Sequence, residues 1–170
     1  MSNTKRLFST RLLVRLALFA ALSAVLKPLQ IGNDFLRFSF ENTPILLCGY
    51  LFGPVCGAIT GAVGDLLGCL ICGYAINPII TLGAGLFGCM AGLFGERGIA
   101  KKPRLWLSVV SAYFVGSLLV KSFGLWLYFA TPLPALALRI PTLLVVGSLE
   151  FVILTLILKN KALHALLERI

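Results

Sequence analysis

Long apolar segments follow one another along almost the whole chain, and this pattern limits the folds that the chain can adopt. Hydrophobic residues make up 59% of the 170 positions and charged residues only 12%, whereas soluble domains contain roughly 45–50% and about 25%. A chain of this size cannot hide so much apolar surface in a water-soluble core. A bilayer solvates that surface at about 20 residues for each spanning helix. The sequence therefore predicts an all-α membrane protein, with residues 1–170 forming a single integral membrane domain in the lipid bilayer.

Prolines and glycines divide the apolar sequence into six predicted helices. Lys27-Pro28 ends the first helix, and Pro44 begins the second after a cap at Asn42 or Thr43, since proline fits the first turn of a helix but interrupts its interior. Before this cap, alternating aromatic and polar residues within 30–42 predict a short strand or hairpin at a membrane face. The predicted helices cover approximately residues 11–28, 44–52, 55–72, 79–94, 105–129 and 135–158.

The basic residues are concentrated in three segments that six helices place on one side of the membrane. The N-terminal flank and the 95–104 connector each contain four Lys or Arg residues and the C-terminal tail contains three, which is eleven of the fifteen in the chain. Positively charged short loops face the cytoplasm, so we expect a multi-pass cell-membrane protein with both termini cytoplasmic. A nucleic-acid partner is not expected despite the net charge of +9, because no basic stripe with interleaved aromatic residues is present.

Four ionisable residues are predicted within the membrane helices, where such groups pair with one another or face a water-filled cavity. Asp65, Lys121 and Arg139 fall in the outer half of the bilayer, and Glu150 falls near its midplane. Pairing inside the bundle, for example of Asp65 with Lys121, is one interpretation. The other is a cavity that holds a ligand.

Positive charge near the outer mouth favours the ligand interpretation. Arg37 and Lys27 add to the cations there, and a surplus of cations suits an anionic ligand recruited from outside. Side chains with flat faces and hydrogen-bond donors are predicted around these charges. They are Phe38, Phe40, Tyr74, Asn77, Trp126 and Tyr128. For Trp126 and Tyr128 the alternative is a belt of aromatic residues at the membrane interface.

Small residues at four-residue spacing indicate where helices pack closely. Gly57 and Gly61 in the third helix, with Gly88 and Gly92 in the fourth, predict a tight contact between these two helices. Two overlapping alanine pairs give the first helix a smooth stripe, which either docks a partner or forms a seam inside this chain. The pairs are Ala17 with Ala21 and Ala20 with Ala24.

Five short segments carry a resemblance to a known family. They are the alanine stripe, LRFSFENTPI, GYLFGPVCGAITGAVGDLLG, GYAINPIITL and the RIP at 139–141. Over roughly residues 15–145 the chain resembles the S-components of energy-coupling factor (ECF) vitamin transporters, most closely the folate branch. The resemblance implies a six-helix vitamin-binding bundle whose outer loops close over the ligand. It also implies an alanine face that docks a transmembrane coupling subunit driven by two ATPases, and an S-component that topples in the membrane.

Folate chemistry agrees with the charged residues. A carboxylate engages the 2-amino-4-oxo edge of a pterin with two hydrogen bonds, and Arg or Lys neutralises the glutamate tail. We hypothesise that Asp65 or Glu150 reads the pterin edge. The other expected roles are stacking by Phe38, Phe40 or Tyr74, neutralisation of the tail by Arg139, Lys121 or Arg37, and closure of the lid by Asn77.

Catalytic, metal and cofactor sites are not expected. Gly64-Asp65 is similar to the signature of intramembrane aspartyl proteases, but these enzymes need a second membrane aspartate and the only other aspartate is Asp34 in a loop. Cys69 and Cys72 lack further ligands at metal-site spacing. No GxxxxGK[ST] motif is present, so we expect separate subunits to hydrolyse ATP.

Two other functions stay open on the sequence. The chain could bind another vitamin or a queuosine precursor, or act as a stand-alone small membrane channel. A channel lines a continuous polar path, whereas the predicted cytoplasmic halves of helices three to five have few polar residues apart from Thr60, Ser108 and Ser111. This distribution favours a pocket with one opening.

Overall fold

The computed structural model describes residues 10–32, 37–38, 40–95, 102–129 and 139–159, with side chains at 10–30, 40–95, 104–128 and 140–159. Within these residues the chain forms six helices and one small hairpin, which confirms the predicted all-α class. The helices are α1 (Thr10–Leu26, extended by the 3-10 turn Lys27–Leu29), α2 (Asn42–Phe52), α3 (Pro54–Cys72), α4 (Pro78–Leu93), α5 (Lys102–Ala112, Tyr113–Lys121 and Ser122–Phe129 in succession) and α6 (Arg139–Lys159).

The hairpin lies between α1 and α2, where the alternating pattern predicts it. Strand β1 (Ile31–Gly32) pairs antiparallel with β2 (Arg37–Phe38), so that Ile31 is opposite Phe38. The prediction of a short hairpin in this loop is therefore confirmed.

In the described part of the chain, four helical segments are long and apolar enough to cross a bilayer. They are Thr10–Leu29, Pro54–Cys72, Arg104–Tyr128 and Ile140–Lys159, whereas α2 and α4 are shorter apolar helices. The 11 residues of α2 extend only about 17 Å at 1.5 Å per residue, roughly half of a 30 Å hydrocarbon layer. The chain is thus a membrane protein with several spanning helices. Helix α2 is only about half as long as the hydrocarbon layer is thick.

Helix α2 begins two residues earlier than the sequence predicts. Its N-cap is Glu41, without a side-chain cap hydrogen bond, and Asn42 and Thr43 lie in the first turn instead of capping it. Proline is tolerated throughout the first turn, where backbone N–H groups have no helical partner, so Pro44 does not mark the first helical residue. The side chains of Asn42 and Thr43 are directed to the bundle interior.

The close contact predicted between α3 and α4 is confirmed. A Cβ atom added at Gly57 would collide with the carbonyl of Gly88, and one added at Gly61 would collide with the carbonyl of Ala84. The two backbones therefore touch directly, which only residues without a bulky side chain permit.

Helix α5 contains a feature that the sequence does not predict. Its nine central residues, Tyr113–Lys121, form a π-helix, a rare backbone form that often occurs at functional sites. Tyr113 and Lys121, at the two ends of this segment, are both buried. The Tyr113 ring packs edge-on against Phe87 of α4, with the centroids 5.1 Å apart.

Candidate ligand-binding site

Among the described residues, two clusters of polar side chains that contain ionisable groups lie inside the bundle. The Asp65 cluster consists of Lys27, Asp65, Cys69 and Thr81. The Glu150 cluster consists of Asn42, Thr43, Tyr113 and Glu150. Between them, Glu41 and Lys121 form a looser ion pair.

The Asp65 cluster is a closed, neutral ion pair. Lys27 Nζ donates to Asp65 Oδ1 at 2.5 Å, to the Asp65 carbonyl at 3.3 Å and to Cys69 Sγ at 3.3 Å. Thr81 Oγ1 donates to Asp65 Oδ2 at 2.8 Å. All three ammonium protons and both carboxylate oxygens are therefore engaged, and the cluster joins the end of α1 to α3 and α4.

The partner of Asp65 differs from the pairing considered on the sequence. Asp65 pairs with Lys27, while Lys121 lies nearest to Glu41 among the carboxylates that the structure describes. Gly68 makes room for this pair, because a Cβ there would collide with the aliphatic stem of Lys27. Asp65, Gly68 and Cys69 share one helix face at i, i+3 and i+4 spacing, a signal that points to a long side chain crossing that face.

The Glu150 cluster lies where α2, α5 and α6 meet. Glu150 has 0% exposed surface, and its Oε2 accepts a hydrogen bond of 2.7 Å from the Tyr113 hydroxyl. Its Oε1 accepts one of 3.2 Å from Thr43 Oγ1, and Asn42 Nδ2 donates to Tyr113 Oη at 3.5 Å. Asn42 Oδ1 is buried and has no hydrogen-bond donor among the described residues.

Lys121 is held far less tightly than Lys27. Its Nζ is 3.9 Å from Glu41 Oε1, beyond hydrogen-bond length, and 5.8 Å from the centroid of the Phe87 ring. Only 8% of Lys121 is exposed. Glu41 also interacts electrostatically with Lys27, and Lys121 interacts with Glu150. The charges of the two clusters and of the loose ion pair therefore influence one another.

The loop between α3 and α4 contributes Tyr74 and Asn77. The Tyr74 hydroxyl accepts a 2.6 Å hydrogen bond from Gln30 Nε2, which joins this loop to the loop between α1 and α2. Asn77 Oδ1 accepts from the backbone N–H of Ile79 at 2.9 Å and of Ile80 at 3.4 Å, the usual role of an N-cap. Asn77 Nδ2 is buried without a hydrogen-bond acceptor among the described residues.

The remaining predicted site residues are placed less fully. Phe40 is exposed before α2. Arg37 and Phe38 lie in β2, and Arg139 is the first residue of α6, but their side chains fall outside the described part of the chain. The side chains of Trp126 and Tyr128 are 50% and 57% exposed. This exposure agrees with a belt at the membrane interface better than with the wall of a cavity.

The alanine stripe of α1 is divided between two environments. Ala20 and Ala24 are each 2% exposed and belong to the core, where the Ala20 carbonyl and Ser23 face Gly64 of α3. Ala17 and Ala21 are exposed. One pair is thus a seam within this chain, and the other pair leaves a smooth surface on the outside of the bundle.

The surplus of cations at the outer mouth stays a prediction, because it depends on Arg37 and Arg139, whose side chains fall outside the described part of the chain. Among the described residues of the two clusters and the loose ion pair, two cations, Lys27 and Lys121, lie with three carboxylates, Glu41, Asp65 and Glu150. A dianionic group placed among them would not be neutralised.

A family model covers nearly the whole chain. A family model described as "ECF transporter, substrate-specific component" matches residues 11–168. Among curated proteins, the chain is 34% identical over 84 residues to an uncharacterized MG313 homolog of Mycoplasma pneumoniae, a match that covers 49% of this chain and 30% of that protein. It is 27% identical over 78 residues to a UPF0397 protein of Streptococcus pneumoniae, covering 46% and 42% respectively. The chain thus spans less than half the length of the curated relatives it matches.

A solved structure has the same fold over nearly the whole chain. The crystal structure of FolT bound with folic acid superposes with a TM-score of 0.74 at 23% sequence identity, covering 91% of this chain and 98% of the other. At this identity the match establishes a common architecture for the helices described above.

Proposed function

The chain belongs to the substrate-specific components of ECF transporters, and on that premise we propose that it captures folate at the outer face of the cell membrane. Members of this family bind a substrate for transport and are not enzymes. The chain delivers the vitamin inward with a transmembrane coupling subunit and two ATPase subunits. Its termini are cytoplasmic, as the positions of the basic segments support.

The observation that carries the folate assignment is the fold shared with a protein solved with folic acid. Polar clusters buried among α1 to α6 support it, because ionisable groups within a membrane bundle are costly and usually belong to a substrate path. The buried hydrogen-bond donors and acceptors of the two clusters suit a polar heterocycle. An interior packed only with apolar side chains would not bind such a ring.

The glutamate tail of folate lies at the outer loops in this proposal. The described interior has no surplus of positive charge for two carboxylates, whereas Arg37 in β2 and Arg139 at the start of α6 lie at the ends of elements. Arg is well suited to carboxylates because its planar guanidinium donates two parallel hydrogen bonds. Phe38, Phe40 or Tyr74 stacks on the ring system, and Asn77 closes the second loop over it.

Asp65 has a positioning role in this scheme. Its charge is already compensated by the ammonium of Lys27, and Thr81 donates to its other oxygen, so a pterin edge would have to compete with a charged partner. Glu150 retains acceptor capacity, since each of its oxygens accepts one hydroxyl hydrogen bond and a carboxylate has about four acceptor sites.

The test is calorimetric titration of the purified protein with folate and, in parallel, with riboflavin, thiamine and a queuosine precursor. We expect saturable one-to-one binding of folate alone. Arg139→Ala should weaken folate binding by about tenfold or more, since a charge-assisted hydrogen bond contributes roughly 1.5–3 kcal/mol.

The matched control is Lys159→Ala, which removes an exposed cation from the opposite end of α6 and should leave the affinity unchanged. Binding of another vitamin instead of folate would reject the folate assignment. Ion leakage from liposomes that contain the protein alone would favour the channel interpretation.

A further inference from the structure

We propose that Lys121, Glu41 and Asn42 bind the donor and acceptor edge of the substrate's heterocycle, whereas the neighbouring Lys27–Asp65 pair does not touch the ligand. This assignment rests on the proposed function as a folate-binding component. It adds Glu41 and Asn42 to the site and moves Lys121 from the tail to the ring.

Within the described residues, neither Lys121 Nζ nor Asn42 Oδ1 has a hydrogen-bond partner. An ammonium carries three donors, yet the carboxylate oxygen nearest to Lys121 Nζ in this part of the chain is Glu41 Oε1 at 3.9 Å. Asn42 is only 8% exposed, and its Oδ1 meets no donor from the described side chains or backbone. Buried polar groups without partners are destabilising, so a ligand that supplies both partners gains affinity here.

The two lysines of the interior show the contrast directly. Lys27 has three acceptors within 3.3 Å and its carboxylate partner is fully bonded. Lys121 Nζ lies 5.8 Å from the centroid of the Phe87 ring and 3.9 Å from Glu41 Oε1. The Lys27 ammonium is thus saturated by the protein itself, whereas the Lys121 ammonium has no acceptor at hydrogen-bond length among the described residues.

The chemistry of a pterin matches the open pair. Its 4-oxo group and N5 are neighbouring acceptors, which suit an ammonium, and its N3–H and 2-amino group are neighbouring donors, which suit a carboxylate and an amide oxygen. Lys121 Nζ lies 3.9 Å from Glu41 Oε1, and Asn42 contacts Tyr113, which lies in α5 as Lys121 does. The start of α2 and the central segment of α5 therefore supply both donor and acceptor groups.

Charge balance separates the ring from the tail. Lys121 and Glu41 cancel each other, so a neutral ring adds no net charge to the interior. The glutamate tail would add two negative charges beside three carboxylates, Glu41, Asp65 and Glu150, and an uncompensated charge in the membrane interior is strongly disfavoured.

The position of the pair agrees with a ring held at depth. Lys121 precedes Phe129, the last residue of α5, by eight residues, which is roughly 12 Å of helix. Asn42 begins the short helix α2 and contacts Tyr113 in the middle of α5. The ring thus enters the bundle and the tail extends towards Arg37 and Arg139.

Calorimetric titrations with folate, with pteroate, which lacks the glutamate, and with p-aminobenzoylglutamate, which lacks the pterin, test this assignment. We expect Lys121→Met and Glu41→Gln each to raise the Kd for folate and for pteroate by the same factor, about tenfold or more. Arg139→Ala should raise the Kd for folate alone. Lys159→Met, which removes an exposed lysine, should change neither value.

The outcomes separate this assignment from the proposed function. If Lys121→Met weakens folate but leaves pteroate binding intact, Lys121 holds the tail and the assignment is wrong. Unchanged affinity for both ligands in the two variants also overturns it, while folate binding by the wild type preserves the proposed function. A wild type that binds neither compound rejects both. Should Lys121→Met not purify as a monodisperse protein, the near-isosteric Glu41→Gln decides alone.

Discussion

Asp65 lies in sequence among glycines, leucines and cysteines without a basic neighbour, and its position is explained by a residue 38 positions away. Lys27 crosses from the end of α1 to α3 and bonds to Asp65, over a helix surface that Gly68 leaves open. A buried charge is tolerated when its partner satisfies its hydrogen bonds as well as its charge. The Asp65 cluster meets both conditions.

Removing one member of this pair should destabilise the protein more than removing both. Asp65→Asn or Lys27→Met leaves an uncompensated buried charge, at a cost of about 3–5 kcal/mol. The double variant Lys27→Met/Asp65→Asn leaves none and should recover much of that loss. Thermal unfolding of the detergent-solubilised variants, combined as a double-mutant cycle, measures the effect.

Thr81→Val is the control for this cycle, because it removes only the hydrogen bond to Asp65 Oδ2, a bond to a charged group that contributes roughly 1.5–3 kcal/mol, and it leaves the ion pair in place. Strictly additive losses in the double variant would contradict a coupled ion pair. Folate affinity should persist in every variant that remains folded.

At the scale of helices, α3 and α4 form the tightest contact of the bundle. Lipid offers helices no hydrophobic drive to associate, so the stability of this seam depends on close van der Waals packing of backbones. Gly88 lies at its centre, where an added Cβ would meet the carbonyl of Gly57 and, at 3.0 Å, a methyl of Ile45. Neither backbone can withdraw without moving a whole helix.

Gly88→Ala should therefore destabilise the protein, by about 1–3 kcal/mol as typical overpacking does. Gly85→Ala in the same helix is the matched control, because its Cβ would have ordinary contacts of 3.4 Å to Ala58 and 3.8 Å to Ala62. Alanine's helix propensity should leave that variant as stable as the wild type or slightly more so. Equal unfolding midpoints for the two variants would contradict the close seam.

At the scale of the whole molecule, we propose that the surface of α1 is the docking face for the transport partners. Ala20 and Ala24 are buried against other helices of the bundle, whereas Ala17 and Ala21 are exposed. In the proposed assembly the exposed pair contacts the coupling subunit, because small side chains permit close approach of a second helix.

Ala17→Trp and Ala21→Trp should reduce recovery of the coupling subunit when the two proteins are expressed together and purified, while folate binding by the isolated variant is retained. Leu144→Trp, at a position of α6 that is 68% exposed, is the control and should leave recovery unchanged. Full recovery of the complex with both alanine variants would exclude this surface as the docking face.

Local sequence patterns were enough to predict the class of the protein, its six helices, the hairpin between α1 and α2 and the α3–α4 seam. These features depend on local patterns: apolar runs, the effect of proline and glycine on the backbone, and residue spacing on one helix face. Helix ends were less certain, as α2 shows, because proline occupies any position of a first turn.

The pairing of the charged side chains could not be predicted from the sequence and follows from the assembled bundle. Lys27 rather than Lys121 pairs with Asp65, Thr43 and Tyr113 bond to Glu150, and the alanine stripe is half buried. These contacts depend on how each helix is rotated about its own axis relative to its neighbours. The π-helical segment of α5 changes that rotation, and no sequence pattern predicts it. Rotation is set by packing across the whole bundle, so residues far apart in sequence become partners only once the helices have assembled.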